Sequence, residues 1–277
     1  MSFISGKHQI FYINSRNRIS GTNSDFQYKI ALNSNLDFNK VCVLQALIPK
    51  SYYLIQANKN TFTLTEGLDD VIITVPVGNY NRRSFQTVIT GLLNSSSPNN
   101  WTYSILFPNE NIEGDTGKYT FVVVGNDSQP SFTFASYVYE QLGFEPNSVN
   151  TFVADQLNSK NVIKLQKEDS VFIHSNIITS ANGEKNVLQE IFAASGESTY
   201  SNIVFKCSDI QAYSKDFNGK NNGIFTFTIT DENREILDLN GQNIVITIVV
   251  YKNQEDYFRM IKGFIKLRTL QNNNTQK

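Results

Sequence analysis

Two cysteines and two histidines are all that 277 residues supply. Cys42 and Cys207 are too few for a disulfide framework or a Cys-rich zinc site. Their neighbours, Val41 and Val43 around one and Lys206 and Ser208 around the other, suggest strand thiols that stay reduced. With only His8 and His174, a His-rich metal site is excluded, and a Ser-His-Asp triad would have to use one of them. His8 lies near an N-terminus, where chains fray. No stretch approaches the roughly 18 consecutive apolar residues of a membrane helix. The start, Met1 to His8, lacks the basic segment, apolar run and small-residue cleavage site of a signal peptide. With 40% hydrophobic residues and a mean hydropathy of -0.29, the expectation is a soluble globular protein made and kept in the cytosol, without membrane insertion. The length is enough to bury a core, as one large all-β domain or two smaller ones.

Asparagine is what the chain has in quantity: 34 residues, about one in eight. Asn favours turns and tolerates the left-handed conformation, so the chain bends often. Phe (20) and Tyr (13) bring the aromatic share to 12%, which suits strands more than helices. Four Asn-X-Ser/Thr triplets begin at Asn94, Asn100, Asn126 and Asn273. A chain this rich in Asn, Ser and Thr yields about five by chance, so they carry no information.

Hydrophobic periodicity locates the elements. Phe26, Tyr28, Ile30 and Leu32 alternate with polar or small residues, the period of a half-buried strand. Val41 to Ile48 is a nearly continuous apolar run ending at Pro49, as in a strand buried on both faces. Phe62 and Leu64 alternate with Thr61, Thr63 and Thr65, and Val71–Val75 stops at Pro76 and Gly78. The texture then changes. Asn81 is placed to cap a helix on which Phe85, Val88, Ile89 and Leu92 share one face, and Ser95–Pro98 ends it. Strands are predicted at Trp101–Phe107, Lys118–Val124 and around Phe132 and Phe134, with a loop at Pro108–Gly117. Ser136–Leu142 closes at Gly143 as a helical turn would. Residues 79–152 therefore look like a small α+β insertion.

Strand character returns at Asn161–Leu165 and Ser170–Ile177, followed by a short helix at Asn186–Phe192 and a strand at Ile203–Cys207. Phe225, Phe227 and Ile229 alternate with Thr226, Thr228 and Thr230. Asn240-Gly241 is a turn signal before the apolar strand Ile244–Tyr251. There is no internal repeat, and the Asn-rich tail 271–277 is expected to be disordered. Eight or more strands with long connections and few helices describe an all-β fold, an antiparallel β-sandwich or jelly roll. A parallel α/β fold would need helical patterns between successive strands.

Catalytic patterns fare poorly. Asp115-Thr116-Gly117 matches the core triplet of aspartic proteases, in which two carboxylates share a proton, but it has polar flanks and no second copy in the chain. Only a homodimer could complete it, and a hairpin tip is the plainer reading. Gly114–Lys118 fails as a phosphate loop, with Ile112 where Gly is needed and Tyr119 where Ser or Thr would hold magnesium. Asp231–Glu235 resembles a calcium loop, yet Ile236 stands at the position that requires Gly, and Asp238–Gly241 fails the same template. His174 sits in the strand-like run Val171–Ser175. No catalytic residue, metal site or cofactor is assigned.

Charge is unevenly spread. Residues 1–29 carry a net +3 and residues 252–277 a net +4, which leaves -8 on the body. Basic ends on an acidic body suit a subunit with one side toward nucleic acid, although solvated termini would look the same. Near the C-terminus, Tyr257, Ile261, Phe264 and Leu267 are interleaved with Arg259, Lys262, Lys266 and Arg268. That segment reads either as a basic amphipathic helix at a partner or membrane surface, with packing or subunit contact favoured over membrane, or as a final strand.

Several short segments together resemble a known family. They are Tyr12–Arg18 leading through Gly21 and Ser24 to Phe26; Ile48–Tyr53 with Asn60 and Phe62; Val75–Tyr80 before a helix; Leu142-Gly143-Phe144; and Leu237–Gly241. In this order they resemble the vertex, or penton, capsid proteins of virophages and polinton-like viruses, over most of the chain. The resemblance implies a structural protein of the virion, assembled in the infected host cell. It implies one jelly roll, formed by residues 26–78 and 153–270, that makes a homopentamer at the icosahedral vertex beside a double-jelly-roll major capsid protein. It implies no enzyme activity and no cofactor. By the same likeness residues 1–25 form an N-terminal arm whose Tyr12, Arg16 and Arg18 face the virion interior. On the charge pattern, not the likeness, the basic segment Arg259, Lys262, Lys266 and Arg268 is expected at the inner face or a subunit contact, with nonspecific contact of the basic termini to packaged DNA. A carbohydrate- or receptor-binding β-sandwich module is the alternative, with Trp101 the one tryptophan available to stack on a sugar.

Overall fold

Side chains that alternate between a buried and an exposed face build nearly every element of this protein. The structure, a computed structural model, describes residues 7–33, 37–107, 114–135, 137–166, 170–178, 186–193, 201–219 and 222–253. Its contacts divide the chain into two units, Met1–Tyr52 with Glu168–Lys277, and Tyr53–Lys167. The first unit opens with β1 (His8–Asn14), β2 (Ser20–Gly21), β3 (Asp25–Lys29) and β4 (Lys40–Pro49). The second unit follows with β5 (Thr61–Glu66), β6 (Asp69–Thr74), α1 (Arg82–Ser96), β7 (Thr102–Leu106), β8 (Thr120–Val124), β9 (Ser131–Phe134), α2 (Tyr139–Leu142), β10 (Ser148–Thr151) and β11 (Gln156–Asn158). The chain then returns to the first unit with β12 (Ser170–Ser175), β13 (Val187–Phe192), β14 (Asn202–Lys206), α3 (Ile210–Tyr213), β15 (Lys215–Asp216), β16 (Ile224–Thr230) and β17 (Val245–Tyr251).

The first unit is a sandwich of two antiparallel sheets, one ordered β1-β17-β4-β14 with β15 also on β4, the other β13-β12-β16-β3-β2. Leaving aside the two-residue strands, its eight strands in chain order form sheets 1-8-3-6 and 2-7-4-5. Among these eight, β12 and β13 are joined as a hairpin within one sheet, and every other connection passes between the sheets. That is the double Greek key of a jelly roll. The second unit is inserted in the connection between β4 and β12.

The sandwich core follows from the alternation. Phe225, Phe227 and Ile229 of β16 point inward, and Phe227 stacks on its cross-strand partner Phe26 at 5.7 Å. Burial of each such side chain contributes roughly 2–3 kcal/mol. β4 cannot keep strict alternation, because Val41 and Val43 face the core and so do Ala46 and Ile48. A β-bulge resolves the conflict: Thr247 of β17 lies opposite Gln45 and Ile248 opposite Val43, so Leu44 is the extra residue that resets the phase. The outer face of β4 is covered as well. Cys42, Val249 and Tyr251 are buried there beneath Cys207 and Ile210, so the run reads as apolar on both faces. Past Leu239, Asn240 (φ 47°) and Gly241 (φ 79°) are both left-handed, and Gln242 N–H returns to the Leu239 carbonyl. This is a type I′ turn, which the Asn-Gly pair is suited to make.

In the second unit, sheets β10-β9-β5-β6 and β11-β8-β7 enclose a core rich in aromatic rings. Phe132 lies 5.6, 5.1 and 5.2 Å from Phe62, Phe121 and Phe152. Helix α1 adds Phe85, Ile89 and Leu93. Its first turn is held by a capping box in which the Asn81 side chain accepts from Ser84 N–H and the Ser84 hydroxyl accepts from Asn81 N–H. Asn81→Ala is expected to cost about 1 kcal/mol, with Asn81→Ser close to neutral. Thermal unfolding of the two variants checks this.

Several boundaries differ from those read from the sequence. The inserted unit spans Tyr53–Lys167 instead of 79–152, because β5 pairs with β6 and β9 and turns Phe62, Leu64 and Ile73 into the second core. Residues 8–14 of the expected N-terminal arm form β1, hydrogen-bonded along its length to β17. The helix expected at Asn186–Phe192 is β13, a strand paired with β12 through a register shift. That irregularity blurs the two-residue period. Asn161–Leu165 carries no strand. The tail 271–277 lies outside the described residues.

Candidate functional site

Of the motif residues weighed above, Asp115, Asp231, Asp238 and His174 each hold a turn or a strand. Asp115 accepts from Gly117 N–H at 2.8 Å and pairs with Arg82 at 2.5 Å. The Gly117 N–H first, and the Arg82 guanidinium second, hold its carboxyl below the usual range. This is an Asx turn tied to the start of α1. Arg82 also lies over the Phe107 ring, 4.3 Å from its centroid. Asp231 accepts from Glu235 N–H at 2.8 Å, and Asp238 from Asn240 N–H at 2.8 Å, so both calcium-like stretches are turns. His174 lies in β12 with Nε2 2.9 Å from Thr230 Oγ1, a hydrogen-bonded strand residue. Among the described residues no group of three or more His, Cys, Asp and Glu could hold a metal ion. No helix among them is long and apolar enough to cross a membrane.

Two asparagines of the glycosylation-type triplets are occupied. Asn94 accepts from Tyr103 N–H and donates to its carbonyl, so it ties α1 to β7 as a strand partner would. The Asn126 amide donates to the Ser128 carbonyl and to Asp155. Trp101 is only 6% exposed, which leaves its ring no face for a sugar.

The residues expected on the interior-facing arm fall on β1 and the turn after it. Tyr12 is 74% exposed on the outer face of β1. Arg16 is exposed in the 3-10 turn Ser15–Asn17. Arg18 is committed to the turn itself, donating from Nε to the Gly21 carbonyl and from a terminal nitrogen to the Ser15 carbonyl, both at 2.9 Å. Arg259, Lys262, Lys266 and Arg268 lie outside the described residues.

Among the described residues, the sandwich has two sheet edges with no further strand beyond them, and they differ. On one side β1 is the last strand of its sheet, with Ile10 (41% exposed) and Tyr12 on its outer face. On the other side β13 and β14 end their respective sheets and flank a groove of about 490 Å³. Leu188, Ile191, Phe192, Val204, Phe205 and Tyr213 supply its apolar lining, with Lys206, Lys215 and Glu190 at hand. Phe192 is 75% exposed, an unusual position for a phenylalanine. The helix expected at Asn186–Phe192 conceals this groove: the register shift puts both Leu188 and Ile191 in the core, so no two-residue alternation marks the strand, and only Glu190 and Phe192 share its exposed face.

Comparison with solved structures finds similarity to the mavirus penton protein, known from a crystal structure of the selenomethionine-labelled form. The match has a TM-score of 0.50 at 12% sequence identity and covers 88% of this chain and 100% of that one. At that identity the shared property is the fold. No family model matches this chain, and a search of curated proteins finds no match.

Proposed function

We propose that this protein is a structural capsid subunit that forms the pentameric vertex of an icosahedral virion, with no catalytic role. The observation that carries the reading is a single jelly roll whose two sheet edges, as the described residues form them, are unlike. A closed ring needs a heterologous interface, in which one surface of each subunit meets a different surface of the next. The β1 edge with Ile10 and Tyr12 and the groove between β13 and β14 are two such surfaces on one sandwich. Strand edges carry unpaired backbone groups that favour association with a further chain. Likeness in fold to a penton protein supports the same reading, as does the family resemblance of Tyr12–Phe26 and Leu237–Gly241. Outward partners are then copies of this chain and a double-jelly-roll major capsid protein. The basic residues Arg16, Arg259, Lys262, Lys266 and Arg268 are the ones we assign to the inner face and to packaged DNA, an electrostatic contact without sequence preference.

Light scattering on the purified chain tests this. The expected mass is five times 31.4 kDa, and Tyr12→Asp or Phe192→Asp should reduce it to the monomer while circular dichroism stays unchanged. Both side chains are exposed, so neither change disturbs the core. A wild-type chain that stays monomeric at high concentration and also fails to join a mixture with major capsid protein would refute the vertex assignment.

A further inference from the structure

The two cysteines of the chain are 165 positions apart, yet their sulfur atoms lie 3.7 Å from each other. Three features of the fold bring them together. Cys42 is on the outer face of β4, just before the bulge at Leu44. Cys207 follows directly on β14, antiparallel to β4, and its N–H donates to the Leu44 carbonyl at 2.9 Å. The short helix α3, capped by Asp209, begins with Ile210, which packs with Cys207 against the buried cluster of Cys42, Val249 and Tyr251. The sulfur separation is roughly 1.7 Å beyond a disulfide bond of about 2.05 Å, a gap that side-chain rotation and small backbone adjustment close.

We propose that Cys42 and Cys207 are a modification site at which low-molecular-weight disulfides of the glutathione type install a stabilising intramolecular disulfide, reversed by thiols. Cys207 is partly exposed and Cys42 is buried, so the order of events is set by access. The Cys207 thiolate attacks one sulfur of the oxidised reagent, forming a mixed disulfide and releasing one thiol. Cys42 then loses its proton to solvent and attacks the Cys207 sulfur, expelling the second thiol. One disulfide is consumed, one is formed and two reagent thiols are produced. Burial pushes the Cys42 thiol well above its ordinary range, which makes closure, and equally reopening, slow near neutral pH. The bond would span the whole inserted unit in sequence and fasten β4 to the end of β14. It passes from a reduced form in a cytosol to an oxidised one outside the cell. The inference does not depend on the capsid reading, because it concerns the isolated chain.

The experiment is incubation of the full chain with excess oxidised glutathione, then removal of the reagent and quantification under denaturing conditions. The expected result is loss of both titratable thiols, a mass lower by about 2 Da, a Cys42–Cys207 peptide in a non-reducing digest and a thermal midpoint raised by about 5 °C or more. Dithiothreitol should restore both thiols. In Cys207→Ser, Cys42 should keep its thiol through the same treatment. Two thiols persisting in the wild type, a stable glutathione adduct on Cys207 without closure, or a bond that lowers the midpoint would each overturn the proposal. The digest of the unaltered chain decides the matter even if the variant fails to fold.

Discussion

Replacing Phe132 with alanine is expected to destabilise the inserted unit by about 4 kcal/mol. The ring is fully buried and is the meeting point of Phe62, Phe121 and Phe152, two of them edge-on within 5.2 Å. Truncation removes the transfer free energy of the ring and leaves a cavity bordered by rigid aromatic neighbours that cannot collapse into it. Edge-to-face pairs add about 0.5–1.5 kcal/mol each beyond area, so the loss falls toward the upper end of large-to-small changes. Phe132→Leu should cost about half as much. The single tryptophan, Trp101, belongs to this same core, so urea unfolding followed by its fluorescence reads the unit directly. A shift below about 1 kcal/mol would mean that this aromatic cluster is not the packed core described above.

The second large effect is expected at Glu66, the last residue of β5, which is 0% exposed. A buried carboxylate is tolerated only when its oxygens are fully engaged. Here the Ser97 hydroxyl donates to both oxygens, at 2.8 and 3.0 Å, Asn99 N–H to one at 3.0 Å, and the Tyr103 hydroxyl to the other at 2.8 Å. These donors come from the end of α1, the loop after it and β7. One side chain thus ties β5 to the chain reversal that follows the helix. The Tyr103 hydroxyl is held far above its ordinary range, first by burial and then by its bond to Glu66, so it remains a donor across the working pH range. Glu66→Ala leaves these donors buried without an acceptor and is expected to cost about 3–5 kcal/mol. Glu66→Gln keeps one carbonyl oxygen but points an amide donor at other donors, for about 1–3 kcal/mol. The same fluorescence-detected unfolding measures both. If Glu66→Ala is as stable as the wild type, the carboxylate is not the acceptor that anchors this turn.

Glu66 also shows why part of the fold escaped a reading of the sequence. In Thr61–Glu66 the alternation of Phe62 and Leu64 announces a strand, and the structure has it. By that same period Glu66 falls on the inward face, where a charged residue reads as the end of the strand. Only the donors gathered from residues 97–103 make its burial tolerable, and nothing within the segment announces them. The mismatch over the insertion has the same origin. Periodicity identifies β5 and β6 as strands with one hidden face, but that face could meet either core, and the choice depends on β9, over 50 residues downstream. β13 departs from the helix expected there because a register shift opposite Ile173 and His174 breaks the two-residue period of a short apolar run. The N-terminal arm is an expectation of the family likeness, and the inward pair Phe11 and Ile13 that makes residues 8–14 a strand is a weak signal, since its pairing partner β17 lies at the other end of the chain.

What local chemistry decides is legible in the chain's own neighbours. Phe-Thr alternation in β16, the Asn81 cap and buried stripe of α1, Gly143 closing α2, and the Asn240-Gly241 turn all follow from backbone sterics and side-chain period within a few residues. From these comes the expectation of an all-β sandwich. The tertiary structure decided what depends on distant partners: the order 1-8-3-6 and 2-7-4-5, the extent of the inserted unit, the groove between β13 and β14, the burial of Glu66 and the approach of Cys42 to Cys207. Period and capping are properties of neighbours in the chain, whereas sheet membership is settled by which apolar faces leave water together. That is a non-local free energy, to which residues tens to hundreds of positions apart contribute at once.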